Sequence, residues 1–184
     1  MSTDINKSFW AQQTAQLPVL AANHYSYTDF TTAVLQNIVE SLDLERATYL
    51  TCVPEEEPGV YEVSGESFPA DRWFVPLKSS DLKLLSHDII MKDTSERYID
   101  DTLTIDNRNL FVRAFQISLS KYGTQHILVL AYFLDSSQPP QLADDDKQAA
   151  FEYLNLFAYI ATSMYLGKAE VIKFMRRQNA VQAK

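Results

Sequence analysis

The stretch that decides the fold is Leu110-Phe111-Val112-Arg113-Ala114-Phe115-Gln116-Ile117-Ser118-Leu119-Ser120, then Lys121-Tyr122-Gly123-Thr124, then Gln125-His126-Ile127-Leu128-Val129-Leu130-Ala131-Tyr132-Phe133. Two runs rich in β-branched and aromatic residues flank a short polar turn holding a glycine, which predicts a β-hairpin. In the first run Phe111, Arg113, Phe115, Ile117 and Leu119 share one face, while Val112, Ala114, Gln116 and Ser118 share the other. The second run is apolar on nearly every residue, as a strand with neighbours on both sides requires.

Downstream, Asp135 to Gln141 is a loop with Pro139-Pro140. Asp144 or Asp145 then caps a helix in which Ala150, Tyr153, Leu154, Phe157, Ile160, Ala161, Met164 and Tyr165 recur at three and four residues. The period continues weakly through Lys168, Val171, Ile172 and Met175. Such a helix runs to about 30 residues or ~45 Å, so its end projects beyond a small sheet. Upstream, Lys92 to Asn109 is polar without a clear period and reads as a long loop. Before it come an extended Ile89-Ile90-Met91, a short helix from Leu82 to about His87, and a strand from Arg72 to Leu77. Ser64 to Asp71 reads as loop, and Val60 to Val63 as a strand returning from Ala47 to Val53 through the Pro54-to-Gly59 turn.

Phe30, Val34, Ile38 and Leu42 mark an amphipathic helix that starts at an N-cap on Ser26 or Thr28 and ends near Asp43. Ahead of it, Asp4 to about Gln16 reads as a helix that Pro18 breaks, followed by a connector. Strands clustered between terminal helices argue an α+β fold. The expected architecture is a central antiparallel sheet of about five to six strands, with the N- and C-terminal helices packed on one face. The expected division is an N-terminal helical arm over residues 1–25, a domain over 26–168, and an extension of the last helix over 169–184.

Composition excludes several function classes. The net charge is −8, which repels phosphate backbones and argues against nucleic acid as a partner. The basic residues near the end, Lys168, Lys173, Arg176, Arg177 and Lys184, read as a solvated helix face. No apolar run reaches the length of a membrane span, and Met1 to Lys7 lacks the pattern of a secretory signal, so the expected site is cytoplasmic, away from the membrane. The four glycines are scattered at Gly59, Gly65, Gly123 and Gly167. Both clustered-glycine nucleotide motifs are therefore absent. One cysteine, Cys52, excludes an internal disulfide and reads as a core residue.

Catalytic chemistry finds no foothold. His24, His87 and His126 are far apart, and none has metal-ligand spacing to a second such residue, so no metal and no cofactor is expected. His126 reads as a partly exposed edge of the hairpin. No nucleophile is paired with a base by spacing, and the expectation is that the chain is not an enzyme. Asp100-Asp101 fall in the expected long loop. Arg113 is the sharpest feature: alternating with Phe111 and Phe115, it is costly to bury without an anion. That anion is either a ligand or an acid on a neighbouring strand, and the cross-strand pair is the favoured alternative.

At this point the chain resembles a GAF domain, a sensory module related to PAS domains, over about Tyr27 to Lys168. The resemblance rests on the helix of Phe30 to Asp43 with the entry Asp43-Leu44-Glu45-Arg46-Ala47-Thr48-Tyr49-Leu50. It rests also on Val75-Pro76-Leu77 with Leu82 to Met91, on the hairpin of Phe115 to Leu119 and Ile127 to Leu130, and on the closing helix from Asp145 to Ala169. Ser118 stands where the family often has proline, and Leu128 where it often has glycine.

The resemblance implies a small-molecule-sensing or regulatory signalling domain. It would form a homodimer through its terminal helices and act on a protein effector in trans. A pocket is expected between the sheet and the segment Asp81 to Ile105. Its expected ligand-binding residues are Tyr49, Trp73, Leu85, Tyr98, Phe111, Arg113, Phe115 and Tyr132. The alternative is a ligand-free protein–protein adaptor or dimerisation domain with a filled interior.

Overall fold

The structure, a computed structural model, describes residues 6–52, 62–67, 96–105, 108–133 and 141–182. Helix α1 spans Lys7–Asn23 and α2 spans Tyr27–Leu42. Strands β1 (Arg46–Cys52), β2 (Glu62–Ser67), β3 (Glu96–Ile105), β4 (Arg108–Leu119) and β5 (Thr124–Phe133) follow, and α3 (Asp144–Gln182) closes the chain. Among the described residues the sheet has five strands in the order β2-β1-β5-β4-β3, and every pairing is antiparallel. This is the α+β architecture expected, with β5 at the centre.

Local chemistry sets the helix boundaries. Asn6 caps α1 by accepting from the Phe9 N–H at 3.0 Å, and Ser26 caps α2 by accepting from the Asp29 N–H at 3.0 Å. Asp43 ends α2 in the left-handed region with φ 53°, as a short polar side chain tolerates. The N-terminus of α1 is also tied to that of α3, because the Lys7 N–H donates to Asp146 Oδ1 at 2.6 Å.

The two faces of the sheet differ. Helices α1, α2 and α3 cover one face, where Trp10, Leu17, Phe30, Val34, Leu35 and Ile38 meet Tyr49, Phe115, Leu128, Leu130, Tyr153 and Phe157 in one core. Each of these side chains is at most 1% exposed. The other face is a separate apolar cluster of Leu50, Leu110, Val112, Ala114, Ile127, Val129 and Ala131, with Ile99 against it. Close packing of α2 on β2 is possible because position 65 is glycine. A Cβ there would lie 3.1 Å from Leu35 Cδ1.

Several sequence expectations are corrected here. Pro18 does not end α1, which continues to Asn23 with Pro18 inside it. Burial of Leu17 on one side and exposure of Pro18 on the other let tertiary packing override the local penalty. The second strand does not stop at Val63 but runs to Ser67 through pairing with β1. Residues 96–105, expected within a long loop, form the outermost described strand on the β4 side. The expected strand at Arg72 to Leu77, the short helix from Leu82 to His87 and the Ile89-to-Met91 segment lie outside the described residues.

Candidate functional site

The structure separates the described pocket residues into two groups. Tyr49 and Phe115 stand on the helix-covered face and are filled against neighbours. The Tyr49 ring lies 4.6 Å from Phe157, and Phe115 meets Trp10 at 5.8 Å and Phe151 at 5.7 Å. Tyr98, Phe111, Arg113 and Tyr132 come together on the β3–β4–β5 side of that same face. Trp73 and Leu85 lie outside the described residues.

The second group is built around one ion pair. Arg113 and Asp100 are register partners across β3 and β4. The guanidinium donates from Nε to Asp100 Oδ1 and from Nη2 to Oδ2, each at 2.9 Å. The arginine side chain is 1% exposed and the aspartate 27%. The guanidinium carbon sits 5.8 Å from the Tyr98 ring centre and 5.3 Å from that of Phe111. Phe111 packs on Tyr132 at 5.0 Å, and Lys147 of α3 approaches the Tyr98 ring at 5.1 Å. Burial pulls the Arg113 pKa down, but the hydrogen bonds and charge of Asp100 and the nearby tyrosines outweigh it, so the group stays firmly cationic. The Tyr98 and Tyr132 hydroxyls are pushed up, chiefly by burial. The cross-strand acid considered as the alternative to a ligand is therefore present, and it is Asp100. Asp100 and Asp101 belong to a strand, not to a loop.

The far face is the third feature, and the residue list from sequence had missed it. Its floor is Val112, Ala114, Val129 and Ala131, each at most 1% exposed. Arg46, Thr48 and Gln116 are buried on this face too, at 7%, 0% and 1%. Arg46 pairs with Glu66 and donates from Nε to Thr48 Oγ1 at 3.2 Å. Burial lowers its pKa. Among the described residues no helix lies on this face. The signal was in the sequence: the alternation that sets Phe111, Arg113 and Phe115 on one face sets Val112, Ala114 and Gln116 on the other.

His126 was expected to be partly exposed and is 2% exposed. Its Nδ1 lies 2.7 Å from the Tyr49 hydroxyl and its Nε2 lies 2.8 Å from Thr124 Oγ1. Burial lowers its pKa from 6.5 to about 4. His126 is the third residue of the central strand β5, and a side chain there is carried inward by the pleat whatever its polarity.

Among the described residues no helix is long and apolar enough to cross a membrane. No protein-family model matches the chain, and no curated protein matches it significantly. Solved structures do. The phycocyanobilin-bound GAF domain of a cyanobacterial phytochrome superposes with a TM-score of 0.56 at 13% identity, over 86% of this chain and 96% of that one. A phycoerythrobilin-bound GAF domain of a cyanobacterial phytochrome gives 0.55 at 11% identity, over 86% and 97%. The GAF domain of a phosphoenolpyruvate-protein phosphotransferase from Coxiella burnetii gives 0.51 at 10% identity, over 91% and 99%. With the strand order and the helix-covered face described above, these likenesses show that the chain has a GAF-like fold.

Proposed function

We propose that this chain is a small-molecule-sensing or regulatory signalling domain of the GAF type, cytoplasmic and without a catalytic step of its own. One observation carries the reading. The sheet has two buried faces of different make-up, and the described helices pack on one of them. The other offers small side chains, Ala114 and Ala131, at its centre, with polar groups of Arg46, Thr48 and Gln116 on the same face. A ligand on that face would be fully enclosed, since Val112, Ala114, Val129 and Ala131 are each at most 1% exposed. The bilin-bound neighbours support the reading by analogy of fold. In this proposal ligand binding shifts the packing of α1 and α3, which form a homodimer and act on a protein effector in trans.

Melting temperature against a panel of tetrapyrroles, cyclic nucleotides and small metabolites tests the proposal. A saturable rise with one compound supports it, and two variants place the ligand. Loss of the rise in Ala131→Leu puts the ligand on the far face. Loss in Arg113→Ala instead puts it beside Tyr98, Phe111 and Tyr132. No rise with any compound, together with a stable dimer, favours the ligand-free adaptor. The exposed side chains of Tyr159, Tyr165 and Leu166 on α3 support that second reading, at 43%, 58% and 42% exposure.

A further inference from the structure

Among the described residues, the core under the helices contains one buried imidazole, that of His126. The His126 ring lies nearly parallel to that of Tyr49, at 13°. The Tyr49 ring packs on Phe157 of α3, which in turn meets Phe30 of α2 at 5.8 Å. The Tyr49 side chain is fully buried, and its hydroxyl reaches the His126 Nδ1. The same end of the hairpin also grips α3 from outside. Lys121 Nζ donates to the Tyr159 hydroxyl at 3.3 Å, and the Tyr122 and Ser163 hydroxyls lie 3.1 Å apart. Thus this end of the sheet holds the stretch of α3 from Phe157 to Ser163 by an inner contact through Tyr49 of β1 and an outer one through the β4–β5 turn.

We propose that this end of the sheet is an acid-responsive clamp on α3: a proton taken up by His126 breaks the inner contact through Tyr49 and loosens the helix around Phe157. The surroundings of His126 favour that outcome. From β1 it faces Tyr49 and its register partner Thr51, from β4 its register partner is Ile117, and from β5 it faces Thr124. Tyr27, at the start of α2, is the next titratable group beyond Tyr49. The Lys121 ammonium is drawn to the Tyr122 and Tyr159 rings. Among the described residues no carboxylate shifts the histidine, and burial alone does so. Among the described residues an imidazolium here has two hydroxyls as partners and no carboxylate beside it. In the tautomer where Tyr49 donates to Nδ1, protonation also turns Nδ1 into a donor and leaves the tyrosine hydroxyl proton without its acceptor.

The sign follows from linkage. The folded pKa is depressed, so the clamp is fully present above the unfolded value of 6.5 and is lost as pH falls towards about 4. Opening that frees the histidine should therefore become about twentyfold more favourable from pH 7 to pH 5.

Amide hydrogen exchange across that range, corrected for intrinsic rates, reads the effect. The expected result is a loss of protection of about that size at residues 154–161, beyond any change in β3 and β4, and absent in His126→Gln. The same pH response in the variant, or a loss spread evenly over the sheet, overturns the clamp. If the variant does not fold, the imidazole resonances of the wild-type protein serve. A midpoint near 4 that moves the α3 amide resonances with it supports the clamp. A midpoint near 6.5, or a titration that leaves α3 unmoved, overturns it.

Discussion

Asp100 stands directly opposite Arg113 in the β3–β4 ladder and accepts two parallel hydrogen bonds from its guanidinium, both at 2.9 Å. The pair fastens an outlying, largely polar strand to the central hairpin, and it neutralises a charge that the apolar face could not hold alone. Removing one partner from a buried pair costs about 3–5 kcal/mol, and the partial exposure of the carboxylate lowers that figure here. Asp100→Asn should thus destabilise by about 2–3 kcal/mol. The double change Asp100→Leu with Arg113→Leu should recover much of the loss, because no charge is then stranded. Urea midpoints at constant m-value check both. An Asp100→Asn variant as stable as wild type would mean that the pair is ornamental.

Trp10 ties α1 into the core. It is fully buried between Phe9, Phe115 and Tyr153, with ring centres 5.1, 5.8 and 5.1 Å away. Trp10→Ala should cost about 3–5 kcal/mol through the cavity it leaves. Its indole N–H is buried with no hydrogen-bond partner among the described residues. Trp10→Phe should therefore cost less than its lost volume suggests, since it also removes that orphan donor. Chemical unfolding measures both. A loss below about 1 kcal/mol in Trp10→Ala would mark residues 1–25 as a peripheral arm.

Pro18 interrupts the hydrogen bonding of α1 while its side chain stays exposed. A proline in a helix interior is about 3 kcal/mol worse than alanine. Pro18→Ala should raise the melting temperature, with a gain of about 1–3 kcal/mol as the missing N–H is restored. An unchanged or lower value would show that the proline helps to seat Leu17.

Gly123 turns the hairpin with φ +63°, and an added Cβ would meet nothing within 4 Å. The penalty for Gly123→Ala is then purely a backbone one, about 1–2 kcal/mol. Gly123→Asn should cost less, because asparagine tolerates the left-handed region. Thermal unfolding of the two variants separates this account from one based on crowding, which predicts the larger residue to be worse.

Legibility followed locality. The hairpin of β4 and β5 was plain because alternation, a turn glycine and strand composition coincide within some two dozen residues. The α2 helix was plain for the same reason, with Ser26 as cap and a continuous apolar stripe. β3 was hidden because Glu96 to Ile105 carries charges on both faces, and it becomes a strand only by pairing with β4. His126 was misplaced because its polarity argued for the surface while its position in the ladder sent it inward. Among the site residues, the nature of Arg113 was clear from its aromatic neighbours. Which anion it meets depends on a strand that local pattern did not reveal.

The sequence by itself determined the α+β class, the central hairpin, the flanking helices and the GAF-like resemblance, because each is written in periodicity and turn chemistry over short spans. Only the tertiary structure decided that Asp100 satisfies Arg113, that His126 lies under Tyr49, and that Tyr49 and Phe115 belong to the helix-filled core. It alone brought Ala114 and Ala131 together on the opposite face. Those outcomes depend on register between strands distant in sequence, and register is fixed by the summed burial of whole faces, which no single segment contains.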